Sequence, residues 1–251
     1  MKFLLILTSG ILFLAATMSS ARPLRIAAIP EEPLRYHSKD RVLVGIDVDI
    51  LAEIFRPAGI KYKIILLHSS ESLREFYQKN LCDMVLTLSK NPERERFLEY
   101  AEMPHLRVSW NFYARKELAK TMKFTGYEIL EGKRLGVTKN FAYTSEFWQH
   151  VGSGKFKVVY EDRNREQINN LVNNQVDLVM LNSMTANALI KREKLTNVIA
   201  KVEGTVRTGQ YFNTFVKNSG YPGIDRVKKV YNEALKKLVD ADRYGKILAK
   251  Y

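Results

Sequence analysis

The chain has 251 residues, 46% of them hydrophobic and 27% charged, with a formal net charge of +13 and one cysteine. That apolar content supports a packed core and excludes a disordered chain, and a lone Cys82 excludes any internal disulfide. The charge excess invites a nucleic-acid or membrane-surface partner. It is spread along helix polar faces, as in Lys191-Arg192, Lys228-Lys229 and Lys236-Lys237, with no nucleic-acid motif beside it, so we read a solvated basic surface and no nucleic-acid partner.

The N-terminus predicts a cleaved secretory signal over 1–21. Lys2 is its basic region, Phe3 to Ala16 its apolar run, and Ser19-Ser20-Ala21 its small-residue cleavage site, so the mature chain starts near Arg22. The run is shorter than the ~20 residues that span a bilayer, and no cysteine stands at the cleavage point to carry a lipid. A strand follows over 24–29, then a helix over 47–57 with Val48, Leu51, Ile54 and Phe55 on one side. Next come a strand over 62–67, a helix over 70–80 with Ser70 as its cap, and a strand over 83–88. A second round begins after Arg115: strand 133–137, helix 144–151, strand 155–160, helix 165–174, strand 176–181, helix 183–192 and strand 197–202. The segment 210–217 reads as extended, a helix starts at Ile224, and a short helix ends at Tyr251. Strands alternating with helices mark parallel βαβ units, and two rounds of them make two α/β lobes.

Two segments carry more than periodicity. Gly45-Ile46-Asp47-Val48-Asp49-Ile50 resembles the Gly-Phe-Asp-Val-Asp-Leu signature of family 3 solute-binding proteins, the bacterial periplasmic receptors that hand polar amino acids to ABC importers. Leu81 to Tyr100 resembles that family's Asp-Ala-x4-Ser-x-Thr-x-x-Arg segment, with Asp83, Ser89, Asn91 and Arg94 at the matching positions. The resemblance covers nearly all of the mature chain. It implies a periplasmic, monomeric α/β protein of the two-lobed binding-protein type II fold, with lobe 1 over 22–112 plus 207–251 and an inserted lobe 2 over 113–206. The ligand cleft then lies between lobes joined by two crossings, and closure traps the ligand. It further implies a small carboxylate-bearing ligand, an inner-membrane ABC permease as partner, no cofactor and no catalysis. A divergent sensor subunit that does not transport amino acids is the alternative, and a dehydratase-like enzyme on the same scaffold a lesser one.

On this resemblance Arg94 grips the ligand carboxylate through its rigid guanidinium fork, with Ser89 adding a donor. From spacing alone Arg94 reads rather as a surface helix residue like Arg96, paired with Glu93 or Glu99, and it is the resemblance that favours the ligand role. Other positions depart from the family. Asn140, Phe141 and Ala142 stand where it has a glycine and two hydroxyls, and Asn182 stands where it has the acid that pairs with the ligand ammonium. An amide brings no charge to offset a desolvated ammonium, so Asn182→Asp is expected to restore a missing partner. Glu31 or Glu32 could supply that charge from the other wall, or be an exposed pair before Pro33. Tyr36, Trp110 and Phe141 are the aromatics placed to see the cleft. His37, His68, His105 and His150 show no metal-ligand spacing, and no nucleophile elbow or phosphate loop occurs.

Overall fold

The structure, a computed structural model, describes residues 22–139, 141 and 143–251. The expected signal over 1–21 and the expected site residue Asn140 lie outside the described residues.

The first half opens with β1 (Leu24–Ala28), whose near-continuous burial suits a strand covered on both faces. A short antiparallel ribbon follows, β2 (Tyr36–His37) with β3 (Leu43–Val44). Helix α1 (Ile46–Phe55) buries Ile46, Ile50, Leu51, Ile54 and Phe55, the stripe that a 3.6-residue period places on one face. Its N-terminus requires Gly45, at φ 135°, because a Cβ there would sit 2.3 Å from the Leu34 carbonyl oxygen. Strand β4 (Tyr62–Leu66), helix α2 (Ser70–Gln78) and strand β5 (Met84–Leu88) continue the βαβ pattern. The cap of α2 is Ser69, whose hydroxyl accepts the Ser72 amide; Ser70, the expected cap, is already inside the helix. The one-turn α3 (Pro92–Glu95) is started by proline and capped by Asn91, which accepts the amides of Glu93 and Arg94. Strand β6 (Leu98–Tyr100) then leads to β7 (Leu106–Arg115), ten residues long.

The second half runs α4 (Lys116–Lys120), β8 (Arg134–Thr138), α5 (Ser145–Gly152), β9 (Lys157–Glu161), α6 (Asn164–Val172), β10 (Leu178–Asn182), α7 (Ser183–Arg192) and β11 (Ile199–Lys201). Strand β12 (Arg207–Val216) returns to the first half, which α8 (Ile224–Asp240) and α9 (Arg243–Leu248) complete.

Among the described residues the main sheet has the order β4-β1-β5-β12-β7-β10-β8-β9, with β6 on β12 and β11 on β7. Strand β1 is parallel to β4 and β5, and β8 is parallel to β9 and β10. The long strands join these parallel sets. The start of β12, Arg207 to Tyr211, lies antiparallel to the start of β7, and its end pairs with β5. Separate cores follow: Leu24, Ile26, Phe55, Tyr231 and Leu235 pack in the first half, and Phe112, Leu135, Val137, Phe147 and Leu178 in the second.

The halves repeat one device. Asp83, before β5, accepts the Arg25 amide of β1 at 2.8 Å, and Asp177, before β10, accepts the Arg134 amide of β8 at the same distance. Each carboxylate also holds the arginine side chain of its strand. Burial opposes the Asp83 charge, but hydrogen bonds from Arg22, Arg25 and Ser219 hold its carboxyl well below the usual range.

Candidate functional site

A 340 Å³ cleft lies between the halves. The first half contributes Glu31, Arg35, Thr87, Ser89 and Arg94, the second Phe141, Tyr143 and Asn182, and the joining strands Trp110, Arg207 and Tyr211. Most of these sit at strand ends or in the loops just beyond, where backbone donors end and side chains turn inward.

Arg94 is fixed by the Asn91 cap and by its own donors. Its Nη1 donates to the Ser89 carbonyl at 3.0 Å and the Ser89 hydroxyl at 3.1 Å, and the Tyr100 hydroxyl donates to the same carbonyl at 2.9 Å. The surface pairs that the sequence allowed are made elsewhere: Glu93 lies 3.9 Å from Arg74, and Glu99 lies 2.6 Å from Lys228. Among the described residues no acidic side chain comes within 4.0 Å of the Arg94 guanidinium. A cation held in a cleft by neutral oxygens keeps its charge available for an anion.

Behind this wall lies a buried ionic floor. Arg35, 1% exposed, donates from Nε to the Ile29 carbonyl at 2.8 Å and from Nη1 to Asp47 Oδ2 at 2.5 Å and Thr87 Oγ1 at 2.8 Å. His105 Nε2 stands 3.3 Å from Asp47 Oδ1. Burial pushes the Asp47 carboxyl up, but Arg35 and His105 more than offset it, and the net direction is down. Asp47 thus carries the family-like signature inward to a partner, Arg35, that no local pattern announces. Thr87 has φ 57°, uncommon for a β-branched residue. Asn213 Oδ1 accepts its amide at 3.0 Å and Asp47 accepts its hydroxyl at 3.0 Å, which together hold this strained backbone in the cleft.

Glu31 crosses the cleft. Its Oε1 accepts from Asn164 Nδ2 at 3.2 Å, Asn182 Nδ2 at 3.0 Å and Thr185 Oγ1 at 2.8 Å, all in the second half. Asn182 meanwhile caps α7, accepting the Thr185 amide at 2.8 Å. Glu32 pairs with Arg192 of α7 and does not line the cleft. The exposed-pair alternative for these two acids is therefore corrected: the Glu31 side chain is only 10% exposed and that of Glu32 only 17%.

The far wall is aromatic. Trp110 meets Phe141 and Tyr143 edge to face at 6.2 and 6.1 Å, donates its indole N–H to the Tyr211 hydroxyl, and lies under the Arg207 guanidinium at 5.2 Å. The Tyr143 hydroxyl accepts the Thr138 amide at 2.8 Å, which ties this wall to the end of β8.

Of the expected site residues, the cleft gathers Arg94, Ser89, Asn182, Phe141, Glu31 and Trp110. Tyr36 is not among its lining; it sits in the β2–β3 ribbon opposite Val44. Sequence reasoning missed Arg35, Thr87, Tyr143 and Arg207. The only available signal was Tyr143's place soon after a strand end. Among the described residues there is no cluster of three potential metal ligands, and no helix is long and apolar enough to cross a membrane.

Comparison with solved structures gives the same architecture. A mutant of ArgBP from T. maritima matches with a TM-score of 0.74 at 21% identity, covering 91% of this chain and 94% of that one. A histidine kinase sensor domain with similarity to periplasmic binding proteins matches at 0.77 and 18%, covering 92% and 96%. The GluR0 ligand-binding core from Nostoc punctiforme, solved with L-glutamate, matches at 0.72 and 20%, covering 91% and 99%. A search of curated protein sequences gives no match. The family profile of bacterial extracellular solute-binding proteins, family 3, matches residues 24–251, so the chain belongs to that family and has its two-lobed α/β fold.

Proposed function

We propose that this protein is an exported solute receptor that captures a small carboxylate-bearing molecule between its lobes and delivers it to an inner-membrane ABC permease. The lobes are taken as 22–112 with 207–251 and 113–206. The observation that carries the reading is Arg94, a guanidinium lining the cleft with neutral oxygen partners from Ser89. Several structural neighbours are amino-acid receptors by their descriptions, among them an ancestral arginine-binding protein bound to arginine, which supports a ligand of amino-acid size. A sensor role is the second reading, supported by the likeness to a kinase sensor domain.

Arg94→Lys tests the carboxylate anchor. Lysine keeps the charge and loses the bidentate fork, so affinity falls roughly ten- to a hundredfold, about 1.5–3 kcal/mol. The measurement is calorimetry on wild type and variant, after a thermal-shift screen of amino acids and small organic acids has chosen the ligand. Equal affinity in the two proteins refutes the anchor.

A further inference from the structure

We propose that Glu31 is the residue by which this cleft selects a ligand carrying a positive charge beside its carboxylate and an apolar body. The inference rests on the reading of Arg94 as carboxylate anchor. Three observations carry it. First, Glu31 is an acid that lines the cleft, and its side chain is 10% exposed. A carboxylate so nearly dry is costly to hold without charged or hydrogen-bonding partners, and its field is weakly screened.

Second, its two oxygens have different surroundings. Among the described residues the side-chain hydrogen bonds to this carboxylate all fall on Oε1, from the neutral donors Asn164, Asn182 and Thr185. The nearest cation to Oε2 is Arg35 Nη2, at 3.7 Å, beyond hydrogen-bond reach. Arg35 is itself committed to Asp47, Thr87 and the Ile29 carbonyl. One guanidinium is thus shared between two carboxylates and makes its hydrogen bond to Asp47, which leaves Glu31 Oε2 without a hydrogen-bonded cation among the described residues. An ammonium donor aimed at Oε2 completes the acceptor set of Glu31 and brings the charge that Asn182 does not have.

Third, Glu31 and Arg94 belong to the same wall of one cleft whose other wall is Trp110, Phe141 and Tyr143. Acid and base line one side and aromatic edges the other, which fits a zwitterion with an apolar body. Recognition of the ammonium is then tied to closure. The carboxylate that receives the ligand cation is the one that Asn164, Asn182 and Thr185 hold across the cleft, so ligand and lobe contact reinforce each other.

Glu31→Gln separates the roles, because the amide oxygen can still accept from Asn164, Asn182 and Thr185 while the charge is lost. The probes are two matched pairs, L-phenylalanine with hydrocinnamate and L-leucine with isocaproate, each deaminated acid differing only by the ammonium. Wild type is expected to bind at least one amino acid roughly tenfold or more tighter than its deaminated partner, and Glu31→Gln to erase that preference by weakening the amino acid alone. Deaminated acids bound as tightly as amino acids by wild type overturn this inference and leave the carboxylate reading standing, as does an amino-acid affinity unchanged in Glu31→Gln. Absence of binding by all four probes overturns the inference; the carboxylate reading falls separately, if Arg94→Lys binds the ligand found in the wider screen as tightly as wild type.

Discussion

Asn182→Asp is the most instructive perturbation, because family resemblance and geometry predict opposite signs for it. By resemblance, an acid at this position restores a partner for the ligand. In the structure the side chain already faces a carboxylate, with Nδ2 donating to Glu31 Oε1 at 3.0 Å. The aspartate keeps the capping oxygen that accepts the Thr185 amide, and its charge at the start of α7 contributes about 0.3–1 kcal/mol. Against this, a charge-assisted hydrogen bond worth about 1.5–3 kcal/mol disappears. Two carboxylates about 4 Å apart repel by about 4 kcal/mol at an effective dielectric of about 20. Thr185 has one hydroxyl proton and can serve only one of them. The Asn164 and Thr185 bonds that remain contribute about 3–6 kcal/mol, so the repulsion cancels most of what still joins the lobes here.

The expected outcome is parting of the lobes, not unfolding. Small-angle scattering on ligand-free protein at neutral pH should give a larger radius of gyration for Asn182→Asp than for wild type. Asn182→Ala, which loses the donor without adding repulsion, should fall between. Acidification, which lets the two carboxyls share a proton, should draw the aspartate variant back toward wild type. The measurement is made without ligand because an ammonium between the carboxylates would offset their repulsion. A ligand-free aspartate variant as compact as wild type at neutral pH, with alanine more open than aspartate, refutes the reasoning.

Two further outcomes follow from other parts of the molecule. Asp83→Asn removes a buried carboxylate held by Arg22, Arg25 and Ser219, and because the arginines are partly exposed the loss should be about 2–3 kcal/mol, or a melting point lowered by about 5–10 °C. The Asp83 carboxyl is depressed in the folded state, so its contribution is present above the ordinary carboxylate range and is lost as pH falls; the gap between wild type and variant should shrink on acidification, and a gap that widens refutes the assignment. For export, N-terminal sequencing of the secreted protein should begin near Arg22, and an intact Met1 on membrane-bound protein would refute cleavage.

The alternation of strands and helices was legible because each element carries its own period. The expected helix over 47–57 and the observed Ile46–Phe55 share Leu51, Ile54 and Phe55 as buried positions, while Ile46 and Ile50 complete the stripe in place of the expected Val48. The strands over 62–67 and 83–88 fall within a residue or so of β4 and β5. Strand β7 was not legible. Leu106-Arg-Val-Ser-Trp-Asn-Phe-Tyr-Ala-Arg115 alternates over its first half and is buried almost throughout its second, because it changes partners at Trp110 from β12 to β10. Ser69 and Ser70 could not be ranked as caps without the backbone, since both precede the same helix and only Ser69 has the extended conformation a cap needs.

The cleft was legible only where one residue type does one job. An arginine after a capped turn could be singled out, since its fork suits a carboxylate in any context. A glutamate could not, because its fate depends on donors far away in sequence: those that meet Glu31 are 133, 151 and 154 residues distant. Its neighbour shows how fine the division is. Glu31 pairs with Arg35 in an isolated bridge, and Glu32 is the first residue of the turn that the bridge encloses, so the chain changes direction between the two acids. One step along the backbone therefore sends Glu31 into the cleft toward Asn182 and Glu32 out to Arg192. Two adjacent, chemically identical acids thus join the same helix at its two ends, Glu31 at the cap of α7 and Glu32 at its last residue, and only the first is placed to sense what the cleft holds.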